Sequence, residues 1–386
     1  MQAAQQIDWL ERTRRNMAAG ASDMVDSIAR IDVARYTDPA RLAREQDLIF
    51  RRHPMAVSFS SKLAHPGDVV THDLLGIPIL LTRDREGRLN AFLNVCRHRG
   101  AKLVWQREQC GQRSLVCPYH AWTYDLVGRL RGIPHEEGFT QLDRATHGLA
   151  RLQVAEAFGI VFVVPQPGED YDFDGFFTTL RDDLDSFGLG SHVLYDEREI
   201  GIAGNWKLVV EGGLETYHVR QAHRATIAPM FADNVAVADR LGRHARLYFT
   251  KRNAAELQGQ PLEGKSVRDY GNPLYYIFPN LVILVQPDHA TVMAVFPQGT
   301  DTCIVQGGAL IPEPPQNDKA RLHWDRNVKI FWDALDEDFQ MAQAIQPGFR
   351  SGANSHVTFG RFEQGCIWFH EEMDRVLDSG QSKTQN

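Results

Sequence analysis

Two short segments of this chain each offer one thiolate and one imidazole: Cys96-Arg97-His98 and Cys117-Pro118-Tyr119-His120, with 18 residues between them. Two facing loops of this kind can hold a two-iron, two-sulfide cluster, two cysteines on one iron and two histidines on the other. Replacing two thiolates by neutral imidazoles lowers the negative charge at the site and raises its reduction potential. Structural zinc fingers instead group Cys with Cys and His with His. The mixed pairs here do not follow that grouping.

A second set lies in NWKLVVEGGLETYHVRQAHR, residues 205–224. On one continuous helix Glu211, Glu215 and His218 fall at i, i+4 and i+7, hence on one face. His223 reaches the same place if the helix ends near Val219 and turns back, and the poor helix formers Gly212-Gly213 after Glu211 are expected to bend it. Two histidines and a carboxylate from elsewhere make the facial triad that holds Fe(II) with positions left open. The plain alternative is a solvated helix face with two incidental histidines.

These residues need elements to position them. Residues 1–50 have helical periodicity through IDWLERTRR and PARLAREQDLIFRR. From 51 to 165 the texture changes to short strands, among them GIPILLT, LNAFLNV, RSLVCP and FGIVFVVP, broken by Gly, Pro and Asp. An acidic, turn-rich connector follows Pro165. The rest, 166–386, alternates helical patterns with the apolar runs YYIFPNLVILVQ, TVMAVFPQ and CIVQGGALI. The reading is α+β: an all-β module, then helices packed on an antiparallel sheet. Tyr275, Tyr276 and Phe278 are candidate pocket walls, although aromatics in such strands are more often plain core.

Composition narrows the function classes. The 386 residues carry a formal net charge of −7, which does not suit nucleic acid or an anionic membrane as a partner. Neither a membrane-spanning apolar run nor a signal-peptide core is present, so a cytoplasmic protein is expected. Five cysteines are too few for a disulfide framework in a chain this long. Cys110, Cys303 and Cys366 read as small hydrophobes. Between Arg83 and Arg131 stand ten Arg or Lys against four Asp or Glu. That local excess could steer an acidic electron donor.

CRHRGAKL followed by CPYHAWTYDLVGRL closely resembles the cluster loops of Rieske oxygenase large subunits. The resemblance implies a [2Fe–2S] cluster with Cys96 and Cys117 on one iron and His98 and His120 on the other. It implies Trp122 packed over the cluster and Gly128 turning the next hairpin. Residues 205–224 resemble the family's acid-x₂-His-x₄-His motif, including the preceding Asn-Trp-Lys, which implies that His218 and His223 bind a mononuclear Fe(II). WDALDEDFQMAQAIQPG, 332–348, resembles the stretch carrying the third ligand and points to Asp338, with Asp333, Asp336 and Glu337 as neighbours in competition. The family usually has Asp where this chain has Glu215, a carboxylate that bridges a cluster histidine of one subunit to an iron-ligand histidine of the next. A minority branch, including oxygenases of quaternary ammonium compounds such as carnitine, carries Glu there.

The fold implied is a Rieske module joined to a helix-grip catalytic domain, with residues 1–50 packed on the latter. The activity implied is that of a terminal oxygenase drawing electrons from NAD(P)H through a ferredoxin or flavin reductase. The substrate expected is an aromatic or other hydrophobic ring compound, with oxidative N- or O-demethylation or monooxygenation of a quaternary ammonium compound as the alternative and a pure electron carrier as the rival from another class. A head-to-tail homotrimer, with or without a small β subunit, is implied as well.

Overall fold

The computed structural model describes residues 3–168 and 170–384, so part of the acidic connector lies outside the described residues. Two compact units form. One runs from Phe50 to Phe176, and the other joins the residues up to Ile49 with those from Phe177 onward. Among the described residues no helix is long and apolar enough to cross a membrane.

The first unit is all-β. A seven-stranded sheet contains Met55–Phe59, Val69–His72, Ile79–Arg83, Leu89–Leu93 and the hairpin Arg151–Ala157/Ile160–Val164. A smaller sheet pairs Leu115–Val116, Thr123–Tyr124 and Leu130–Gly132. Gly128 turns the last hairpin at φ +82°, where a Cβ would stand 2.4 Å from the Phe92 ring. No larger residue suits that turn.

The second unit carries a seven-stranded sheet whose outer strands are Val193–Ile202 and Phe231–Leu241. Between them, in order, lie Cys303–Ile311, Ala290–Pro297, Leu281–Val285, Gly271–Ile277 and His244–Lys251, every pair antiparallel. The long helix Asp318–Arg350 lays Trp324, Val328 and Trp332 against Ala309 and Ile311 of the sheet. The N-terminal helix Ala3–Ala19 buries Trp9 and Leu10 against Val237 and Tyr248. This is the α+β, helix-on-sheet arrangement expected.

Three details correct the sequence reading. The helix read through 205–219 stops at Gly212, after Trp206–Gly212, and a separate turn of helix spans Val219–Ala222. Two glycines in a row weaken the helix enough for the chain to turn there. The first 50 residues are not wholly helical either: Ala29–Asp32 pairs as a strand with His356–Phe359. Finally, Tyr275, Tyr276 and Phe278 are core, with the Tyr275 hydroxyl donating to Asp183 and the Tyr276 hydroxyl to the Pro279 carbonyl.

Candidate functional site

The two Cys-His loops have the same backbone. In each, the residue four beyond the cysteine returns its N–H to the cysteine carbonyl: Gly100 to Cys96 and Ala121 to Cys117, both at 2.9 Å. In each, the cysteine N–H reaches one residue further, to Ala101 or Trp122, both at 2.8 Å. The turn needs a left-handed residue at its fourth step, filled by Gly100 at φ 76° and by Ala121 at φ 54°. An alanine held there costs about 1–2 kcal/mol. That strain is tolerated where the loop's shape matters more than its stability.

The loops bring Cys96, His98, Cys117 and His120 together. Both cysteines are buried, and the two imidazoles meet edge to face with centroids 4.7 Å apart. Trp122 stacks on His98 at 4.9 Å and 9°, and Phe139 closes over both rings. The Tyr124 hydroxyl lies 3.4 Å from the Cys96 sulfur and accepts the Arg97 N–H at 3.0 Å. Burial pushes the Cys96 thiol up; Tyr124 and the His98 amide ease it, and Cys117 raises it again. Nδ1 of His98 and Nδ1 of His120 are buried with no hydrogen-bond partner among the described residues. Two buried thiols beside two orphaned imidazole nitrogens are the donor set a [2Fe–2S] cluster of this type requires, so the residues fit the group.

The second site draws on three segments. Asn205 caps the helix Trp206–Gly212 by accepting the Lys207 N–H, and donates to the carbonyls of Tyr36 and Thr300. Its own N–H goes to Gln346 Oε1 on the long helix at 2.8 Å. Lys207, 1% exposed, pairs with buried Glu45 at 2.7 Å, and Trp206 donates to the same carboxylate. The Asn-Trp-Lys run and Gln346 therefore seat the short helix against the long one, which fixes the spacing between the histidines and Asp338.

His218 Nε2 and His223 Nε2 are 3.1 Å apart, and Asp338 Oδ1 lies 3.5 Å from the first and 3.1 Å from the second. These three donor atoms converge as a metal-binding group would. Each imidazole is held from behind. Glu215 takes Nδ1 of His218 and also the backbone N–H groups of Tyr217 and His218. Glu337 takes Nδ1 of His223 at 2.8 Å and is steadied by the Thr226 hydroxyl at 2.6 Å. A carboxylate on Nδ1 keeps the proton there and leaves the Nε2 lone pair for a metal. Burial works against a charge on His218, yet Glu215, then Asp338, bring its pKa up to about 9. The triad is thus an anion-rich pocket suited to a divalent cation, and the residues fit Fe(II).

Of the acidic competitors, Asp333 pairs with Lys329, Asp336 is exposed, and Glu337 orients His223 rather than joining the triad. Sequence reasoning missed that role of Glu337. Glu211, read as sharing the face of Glu215 and His218, is instead buried on the far side. There it accepts the Tyr36 hydroxyl at 2.8 Å and lies 2.9 Å from Nε2 of His370. The break at Gly212 separates the two glutamates.

The triad opens on a cavity of about 440 Å³. Its walls are mostly apolar, including Val209, Ile227, Leu274, Leu284, Met293 and Phe331. The volume and lining are those of a small-molecule site.

Comparison with known proteins agrees with this geometry. Residues 53–150 match the Rieske [2Fe-2S] domain, and residues 184–379 match the ring hydroxylating alpha subunit (catalytic domain). The chain is 30% identical to the glycine betaine monooxygenase oxygenase subunit of Chromohalobacter salexigens, over 89% of this chain and 86% of that protein. Among solved structures, a quaternary ammonium Rieske monooxygenase bound to an inhibitor superposes with a TM-score of 0.78 at 21% identity, covering 92% of this chain and 99% of the other. Naphthalene 1,2-dioxygenase from Rhodococcus sp., bound to indole, superposes at 0.75 with 17% identity, over 96% of this chain and 98% of the other. The chain belongs to the Rieske non-haem iron oxygenases as a large (alpha) subunit. It is the oxygenase component, an O₂-dependent oxidoreductase with a [2Fe–2S] cluster and a mononuclear iron.

Proposed function

We infer that Cys96, His98, Cys117 and His120 hold the cluster, that His218, His223 and Asp338 hold the mononuclear iron, and that the substrate oxidised there has a largely apolar body. The observation that carries this reading is the apolar cavity into which the triad faces. When bound, the cluster supplies single electrons and the iron a site for dioxygen activation beside the substrate. The chain's own residues do the rest. Glu215 and Glu337 keep the protons of His218 and His223 on Nδ1. The cavity walls exclude water and hold a C–H bond near the triad. Arg99 lies over the ring of exposed Tyr119 and Lys102 over that of exposed Trp105, a surface suited to an acidic ferredoxin or reductase.

Glu215 is proposed to bridge neighbouring subunits of a homotrimer. One of its oxygens holds His218, and a neighbour's cluster histidine would complete the link for electron transfer.

A second reading, oxidation of a quaternary ammonium compound, is supported by Glu215 and by the glycine betaine relative. A quaternary ammonium wants aromatic faces around it. Phe231, Phe249, Phe331 and Phe339 all line the cavity, the first two with their rings 6.4 Å apart and at 88°, and no Trp or Tyr joins them among the described lining residues. Those rings suit either substrate, and the aliphatic walls together with the Lys251 cation favour the hydrophobic reading. Oxygen uptake with a reductase and two panels, aryl compounds and trimethylammonium compounds, decides the matter. Hydroxylated aryl products with tightly coupled uptake are expected. Aldehyde release from the ammonium panel alone would replace the first reading with the second.

A further inference from the structure

The cavity is not uniform along its length. Register across the sheet puts its lining in rows: Val282 and Met293; then Leu274, Leu284 and Thr291; then Phe249, Asn272, Gln286 and His289. The Val282 row adjoins Gly213, beside the helix that leads to the triad, since a Cβ on Gly213 would lie 3.5 Å from Val282. Gln286 is four residues further along the same strand direction, about 13 Å away. At that far end the lining turns polar. Lys251 is half-buried there and donates to the Arg268 carbonyl at 3.0 Å, which leaves two of its three N–H donors. Asn272 is 7% exposed and its Oδ1 is buried with no partner among the described residues. Gln286 donates to Thr291 at 3.1 Å, while its Oε1 is likewise buried and unpartnered.

Lys251 brings a cation with two spare N–H donors into a mostly apolar cavity, which calls for an acceptor on the ligand, while the two unpartnered oxygens call for a donor beside it. We propose that this end is a carboxylate-binding subsite, with Lys251 as the ion-pairing residue and Asn272 beside it, so that the oxygenase takes acids whose apolar body extends toward His218, His223 and Asp338. The proposal rests on the reading of this cavity as the oxygenase substrate site. Gln286 Oε1 is left to accept from a hydroxyl or water on the same head group. Asp288, the carboxylate at this end, is already bonded to His289 and His323, both at 2.8 Å. Burial lowers the pKa of Lys251, against the pull of Asp269, and an incoming anion would relieve that penalty. Charge outside the cavity runs the same way. A second depression shares Val219 and Phe231 with it and carries exposed Arg220, Arg224 and Arg252, of which Arg220 is paired with Asp233. Two of these three cations have no ion pair among the described residues, and such a surface attracts anions to this side of the unit.

The test is calorimetric titration of the holoenzyme with ω-phenylalkanoates of graded chain length and with their primary amides, equal in shape but uncharged. At least one acid should bind about tenfold or more tightly than its amide. Lys251→Met should abolish the preference and leave amide affinity unchanged, and Lys251→Arg should keep it. A series in which no acid outbinds its amide, or a preference that survives Lys251→Met, overturns the subsite. If Lys251→Met fails to fold, judged by its cluster absorbance, Lys251→Gln and the wild-type acid-to-amide ratio decide in its place. Oxygen uptake with the tightest acid separates the two claims. Lysine-dependent acid binding without turnover would sink the reading of this cavity as the substrate site and leave the subsite standing. Turnover of neutral compounds without acid preference would do the reverse.

Discussion

At the scale of single residues, the chemistry is carried by donor atoms and by what holds them from behind. Asp338 and Glu337 are adjacent on one helix, yet one meets Nε2 of His223 and the other Nδ1. Removing the second should loosen the metal without deleting a ligand. We expect Glu337→Ala to lower iron affinity about 10- to 100-fold and leave the cluster untouched. Metal analysis of protein equilibrated against a graded chelator checks this, and wild-type affinity in the variant would show that Glu337 is incidental. The Cys-His loops were legible in the sequence because both ligand types sit within three or four residues of each other. Asp338 was legible only through the resemblance of residues 332–348 to the family's third-ligand stretch. Glu337 was not. Which acidic residue of an amphipathic helix faces inward depends on how that helix is rotated against its neighbours, and Asp333, Asp336 and Glu337 differ only in that.

At the scale of elements, the break after Gly212 separates two roles that a continuous helix would have merged. Glu215 stays beside the histidines, whereas Glu211 is enclosed with Tyr36 and His370. Burial drives the Glu211 carboxyl up to about 8, against the Tyr36 hydrogen bond and the Lys207 charge, which favour its anion. Its folded pKa therefore lies above the usual value of 4.5. The protonated form stabilises the fold, fully below pH 4.5 and less and less as the pH rises through about 8. Glu211→Gln is neutral at every pH, so its unfolding midpoint should gain on the wild type across that window. A difference independent of pH would contradict the assignment. The strand Ala29–Asp32 was hidden for another reason: its partner, His356–Phe359, lies at the opposite end of the chain, and no local periodicity announces such a pairing.

At the scale of the whole molecule, the proposed trimer lets one subunit's cluster serve another's iron. Two predictions follow from that arrangement. Glu215→Gln should retain both metals but cut coupled turnover severely, and normal turnover would remove the bridge. Subunits carrying Cys117→Ser, refolded together with subunits carrying Asp338→Ala, should recover activity that neither has alone. Failure to recover it in trimers containing both would show that electrons do not cross between chains.

The measurement closest to the central claim is an EPR spectrum of anaerobic, dithionite-reduced protein, recorded with and without nitric oxide, for the wild type and Asp338→Ala. The wild type should give the rhombic signal of a His-ligated [2Fe–2S] cluster together with a high-spin iron–nitrosyl signal. Asp338→Ala should keep the first and lose the second. A nitrosyl signal undiminished in Asp338→Ala, or absent from iron-replete wild type, would contradict the assignment of His218, His223 and Asp338 to the catalytic iron.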